Sequence, residues 1–183
     1  TCDVTPYDGI DYGISGSGSV TVESGCSSLE FNGISNSVLI PSLANNLGGG
    51  TNTFTVETWL YWNGSGSEEF QTIAEQAYGK SPSIAGGWFW GIGGNTNANG
   101  CGSSVGIGKL FAQFEYSGAC TVSSSSLSPN QWYHLAATFN GNTWAFYIDG
   151  KDATSVLRTN SEVLGINQPL RIGYTQNAAL NWG

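Results

Sequence analysis

The chain offers few side chains for acid, base or nucleophilic chemistry. Its one histidine, His134, has no serine-nucleophile motif and no His-Glu-x-x-His spacing for company. Glu57 stands in Val-Glu-Thr-Trp, while Glu68 and Glu69 are adjacent and would point to opposite sides of a strand. Seven tryptophans are the stronger lead. Trp88 and Trp90 are two apart, so on a strand they share one face. Turned to solvent they would stack on pyranose rings, whose axial C–H groups suit an aromatic face. Turned between sheets they would be core. With Trp62, Tyr78 and Trp144 they form the candidate glycan-binding set. The cysteines Cys2, Cys26, Cys101 and Cys120 share no Cys-x-x-Cys spacing, and a zinc site needs closer ligands. They read as two disulfides in an oxidising compartment. Of the three pairings, Cys101–Cys120 would close one hairpin and Cys2–Cys26 would tie down the N-terminal segment. Asn63-Gly-Ser65 is the single Asn-x-Ser/Thr glycosylation site.

The composition narrows the partners. Charged residues are 10% of 183, against about 25% in an average soluble domain. Thirteen acids against five bases give a formal charge of −8, and no basic patch can form. Phosphate-driven nucleic-acid binding and docking on anionic lipid are excluded on that ground. Aromatics at 13% argue against disorder. No apolar run approaches the ~18 residues needed to span a bilayer, so membrane insertion is not expected. The chain has no methionine, so Thr1 is not a translational start, and a removed leader is expected.

The elements that must position these residues are strands. Period-two or β-branched and aromatic segments recur at 19–23, 28–32, 37–40, 53–61, 87–92, 109–116, 133–139, 143–148 and 170–173. Asn-Gly pairs begin at Asn32, Asn63, Asn99 and Asn140, and Asp149-Gly150 is a further tight-turn signal. Residues 123–126 and 45–52 read as loops. Between 68 and 80, Phe70, Ile73, Ala74, Ala77 and Tyr78 have helical spacing. Many short antiparallel strands without alternating helices indicate an all-β, two-sheet jelly-roll sandwich.

The order of motifs resembles that of laminin G-like domains, in the concanavalin A-like lectin/glucanase jelly rolls. The likeness runs from Leu29-Glu-Phe-Asn-Gly33 and Phe54-Thr-Val-Glu-Thr-Trp59 through Gly86-Gly-Trp-Phe-Trp-Gly91. It is strongest at Gln131-Trp-Tyr-His-Leu-Ala-Ala-Thr-Phe-Asn-Gly141 with Phe146-Tyr-Ile-Asp-Gly150, and closes at Pro169-Leu-Arg-Ile-Gly173. The resemblance implies an N-terminal segment, 1–27, and a domain over 28–183. It implies a strand near Gln71–Glu75 in place of the helix, structural roles for His134 and Glu57, and burial of Trp59 and Trp132. The two-carboxylate strand of the superfamily's glucanases is absent from the sequence. No cofactor is required on this reading. Relatives that hold calcium at the sandwich rim make Asp149, Asp152 and Asn32 the candidate ligands, with turn formation as the alternative role.

Domains of this kind continue past the Pro169–Gly173 motif into a further strand. Tyr7-Asp-Gly-Ile-Asp-Tyr-Gly-Ile14 resembles it, with Ile10, Tyr12 and Ile14 on one face. Three readings stay open: the segment completes its own domain near Leu29–Asn32, is donated to a neighbouring molecule, or resembles the strand by chance. The function expected is a non-catalytic extracellular structural or adhesion protein, a cell-surface or filament subunit whose partners are itself or other surface proteins. The alternative is a module binding neutral glycans, with a glycoside hydrolase or polysaccharide lyase third. Peptide mapping without reduction is expected to recover Cys101 linked to Cys120; any other linkage, or free thiols, would refute the pairing.

Overall fold

A computed structural model of the chain describes residues 28–32, 36–41, 53–64, 70–76, 87–94, 105–114, 120–155 and 169–173. The chain divides into two compact units, Thr1–Glu30 and Phe31–Gly183. Every ladder below lies in the second. Among the described residues there is no helix, and hence none long and apolar enough to cross a membrane.

The strands are β1 (Val38–Ile40), β2 (Thr53–Trp62), β3 (Phe70–Gln76), β4 (Trp88–Gly93), β5 (Lys109–Phe114), β6 (Cys120–Ser126), β7 (Gln131–Asn140), β8 (Trp144–Ile148), β9 (Lys151–Asp152) and β10 (Leu170–Ile172). They form two antiparallel sheets. One has six strands in the order β1-β10-β3-β4-β5-β6, and the other four in the order β2-β7-β8-β9. The expected jelly-roll sandwich is what forms.

Alternation decides which side chains meet. On β2, Phe54, Val56, Leu60 and Trp62 share one parity, and on β7 Tyr133, Leu135, Ala137 and Phe139 do so. These rows face Trp88, Trp90, Ile92, Leu110, Ala112 and Phe114 of the six-stranded sheet in one core. β8 adds Trp144 and Phe146. β4 is buried along its whole length, because a second apolar cluster of Phe70, Phe89, Val105, Phe111 and Cys120 lies on its other face. A strand buried on both faces cannot alternate polar with apolar, and its sequence is Trp-Phe-Trp-Gly-Ile-Gly.

Turn chemistry sets the registers. Asp149 and Gly150 have φ of 51° and 73° and form the two-residue turn between β8 and β9. After β7 the Asn140 side-chain oxygen accepts the N–H groups of Asn142 and Thr143, at 3.0 and 2.8 Å. The Tyr133 hydroxyl accepts the Ser128 N–H and donates to the Ser128 carbonyl, at 2.8 and 3.1 Å, which fixes the entry to β7.

The strand expected near Gln71–Glu75 forms as β3, and two other local expectations change. The helical spacing at 68–80 comes from a β-bulge: β3 pairs with β4 in shifted register between Thr72 and Ala74. The extra residue lets Phe70 join the outer cluster while Ile73 and Ala74 both join the core. Residues 123–126, read as a loop, belong to β6; its ladder to β5 is a backbone property that serine does not forbid, and Ser123 Oγ accepts the Leu110 N–H at 2.9 Å. Residues 28–32 form no strand. The segments 19–23 and 45–52 fall outside the described residues.

The core makes a quantitative claim. Trp88→Ala is expected to cost about 3–5 kcal/mol by denaturant unfolding, the range for removing a buried aromatic side chain. A loss below about 1 kcal/mol would show that the inter-sheet contact is not tightly packed.

Candidate binding face on the four-stranded sheet

The opposite parity of β2 and β7 carries the polar and aromatic side chains outward. Glu57, Trp59 and Tyr61 follow one another on β2, and Trp132, His134 and Ala136 on β7. The register pairs Trp59 with His134, Tyr61 with Trp132 and Glu57 with Ala136; Ala136 in turn lies opposite Tyr147 of β8. Trp59 is 67% exposed, Trp132 51% and Tyr61 47%. The Trp59 and His134 ring centroids are 5.3 Å apart, and those of Tyr61 and Trp132 are 5.6 Å apart at 63°. This is an aromatic band on an open sheet face.

His134 is the hub of the band. Its Nε2 lies 3.7 Å from the Glu57 carboxylate. Its backbone N–H donates to Asp149 Oδ1 at 2.9 Å, and its carbonyl accepts the Asp149 N–H at 2.8 Å. A histidine beside a carboxylate suits proton transfer, but the two side chains are 32% and 67% exposed, so water is not excluded from the pair. The other glutamate on a sheet, Glu75, is buried on the outer side of the six-stranded sheet, 3.5 Å from Arg171. Glu57 and Glu75 thus sit on opposite outer faces, separated by both sheets. Two sheets pack about 10 Å apart, beyond the separation that glycosidic chemistry uses in either of its geometries.

The tryptophans exchange the roles expected of them. Trp88, Trp90 and Trp144 are fully buried and Trp62 nearly so, which removes them as a sugar platform. The Trp62 indole N–H donates to Gln71 Oε1 at 2.6 Å and that of Trp88 to Gln76 Oε1 at 3.1 Å. Trp59 and Trp132, expected in the core, are on the surface instead. The signal lay in the alternation of β2, where Trp59 and Tyr61 share the parity of Thr55 and Glu57, against Phe54, Val56 and Trp62.

The calcium candidates are occupied by turns. Asp149 Oδ1 accepts the His134 N–H, and Asn32 and Asn36 each accept the other's backbone N–H at 3.1 Å. Asp152 Oδ1 accepts the Thr154 N–H at 2.8 Å, and bonds from the Thr154 backbone and hydroxyl hold the Asp152 carboxyl below its usual range. Among the described residues no three His, Cys, Asp or Glu side chains converge.

Cys120 is buried and disulfide-bonded, its partner lying outside the described residues. Asn63 is exposed just after β2. Tyr7, Ile10, Tyr12 and Ile14, Cys2, Cys26, Cys101 and Tyr78 lie outside the described residues.

A laminin G-like family model of the concanavalin A-like lectin/glucanases superfamily matches residues 32–183. No curated protein matches the chain. Among solved structures, the mouse laminin alpha1 chain, domains LG4-5, superposes with a TM-score of 0.53 at 13% identity over 83% of this chain. A Bacteroides ovatus protein, whose name proposes carbohydrate binding, superposes with a TM-score of 0.46 at 19% identity over 87%. The chain spans 36% of the laminin chain's length and 44% of the Bacteroides protein's. At 13% identity the likeness to the laminin domains concerns the fold alone.

The exchange of roles is directly measurable. Trp59→Ala and Trp132→Ala are each expected to change stability by no more than about 0.5 kcal/mol, the scale of surface substitutions. A cost of about 3 kcal/mol or more at either position would return that ring to the core.

Proposed function

The chain belongs to the concanavalin A-like lectin/glucanases superfamily as a laminin G-like domain, and from that premise we propose a non-catalytic extracellular protein of structural or adhesive function. The observation that carries the proposal is the exposed band of Trp59, Tyr61 and Trp132. Large aromatics cost free energy in water, and a contiguous patch of them marks an interaction surface. Trp and Tyr are also enriched among the residues that dominate interface energetics. The extracellular assignment is supported by four cysteines, a disulfide at Cys120 and the scarcity of charge. The non-catalytic reading is supported by the separation of Glu57 from Glu75 and by the openness of the face around His134.

Assembly with itself is part of the proposal. β2 pairs only with β7 among the described residues, and its inward Val56, Thr58 and Leu60 are half-buried where Leu135, Ala137 and Phe139 of β7 are buried. An added strand would cover them and satisfy backbone groups along that edge. Tyr7–Ile14 of a second copy has the alternating residues such a strand needs. Glycan binding is the second reading, favoured by the exposed ring of Trp59, and Asn63 is the proposed glycan acceptor.

Light scattering of the purified chain is expected to show self-associated particles that deletion of residues 1–15 converts to monomers, with no hydrolysis of β-glucan, alginate or xylan. Turnover abolished by Glu57→Gln or His134→Ala would overturn the non-catalytic reading. Particles unchanged by the deletion would overturn strand donation.

A further inference from the structure

We propose that the outer face of the four-stranded sheet docks a basic segment of a partner polypeptide, with a lysine or arginine head group over the Trp59 ring and against the Glu57 carboxylate. The inference rests on the reading that this face is the working surface, and adds the chemistry of its partner.

Charge complementarity selects the ligand. Glu57 shares the parity of the band, Asp152 lies opposite Tyr147 on the same face, and Asp149 borders His134. His134 Nε2 lies 3.7 Å from the Glu57 carboxylate on this face, and the described lysines and arginine are elsewhere. Lys109 Nζ donates to the Ser123 and Ser124 carbonyls, at 3.0 and 2.7 Å, on the six-stranded sheet. Arg171 is with Glu75, and Lys151 lies opposite Ile148, on the other parity. The face therefore presents rings and carboxylates, and a chain charge of −8 steers cations toward it. An ammonium or guanidinium is attracted to an indole face through the ring quadrupole, and a guanidinium also stacks on it.

Ring geometry favours this ligand over a saccharide laid flat along the band, which would need neighbouring rings that share a plane. Trp59 and His134 are inclined at 55°, and Tyr61 and Trp132 at 63°. A cation needs one ring face and one carboxylate. Residues two apart on β2 lie about 7 Å from each other along the strand, which places Glu57 beside Trp59 and within reach of the same long side chain. Tyr61 and Trp132 continue the row, available to the apolar stems of neighbouring lysines or arginines.

The test titrates the intact chain with an acetylated, amidated tetra-arginine peptide at low salt, read by tryptophan fluorescence and by calorimetry. Trp59→Ala leaves the net charge unchanged, and is expected to weaken binding about tenfold, within the range of a desolvated cation–π contact. Trp59→Tyr should retain most of the affinity. Glu57→Gln, which leaves every ring in place, should weaken it about three- to tenfold. Equal binding by the wild type and Trp59→Ala would overturn the proposal, since only the diffuse acidic field would then be at work. A neutral β-glucan oligosaccharide is titrated in parallel. Binding of the sugar that depends on Trp59, without such binding of the peptide, would overturn the cationic ligand and keep the face as the working surface. Indifference of both ligands to Trp59→Ala would overturn the working surface as well.

Discussion

The contact between Trp88 and Trp144, with Phe54, Phe114 and Phe139 around them, is the constraint on which the fold depends. The rings come from five strands of both sheets, with centroid separations from 4.8 Å for Phe114–Phe139 to 5.9 Å for Trp88–Trp144. Phe54 meets Trp144 edge-on at 90°, the arrangement favoured by opposed ring quadrupoles. Once these side chains face inward, strand alternation leaves no freedom to the rest. A one-residue slip would turn a whole strand over.

That constraint explains both what the surface offers and what it lacks. Glu57, Trp59 and Tyr61 are outside because Phe54, Val56, Leu60 and Trp62 are inside. Glu75 is carried to the far side of the sandwich by the β3 bulge, which restores core parity at Ala74 and pairs Glu75 with Phe89 on the outer layer. Among the described residues, Glu57 and Glu75 thereby lie on different faces, while Asp149 and Asp152 accept bonds within turns. Among the described residues, the exposed rings of Trp59, Tyr61 and Trp132 are gathered on one face.

The turns do more than join strands. Asp149 accepts a bond from the His134 backbone while its positive φ closes the β8–β9 hairpin. Asp149 thus helps hold the end of the band in place. Asp-Gly satisfies the turn because both residues tolerate the left-handed region, glycine most readily.

Much of this was legible in the sequence. The jelly roll, most strand positions and the absence of helix among the described residues follow from period-two patterning and Asn-Gly turns, which are local properties of the backbone. The motif order identified the family, since Trp132–Gly141 and Phe146–Gly150 carry residues fixed by adjacent turns. The bulge at Thr72–Ala74 was not legible, because one inserted residue imitates helical spacing in a short window. Nor was β6, whose serines satisfy a ladder without signalling one. Which tryptophans face water was half legible: the parity was written in β2, but only the packing of two sheets decides which parity is the inner one. Trp88 and Trp90 show why. Their shared face could be read from spacing alone, yet whether it met solvent or Trp144 depended on a strand more than fifty residues away, brought there by the burial of apolar surface.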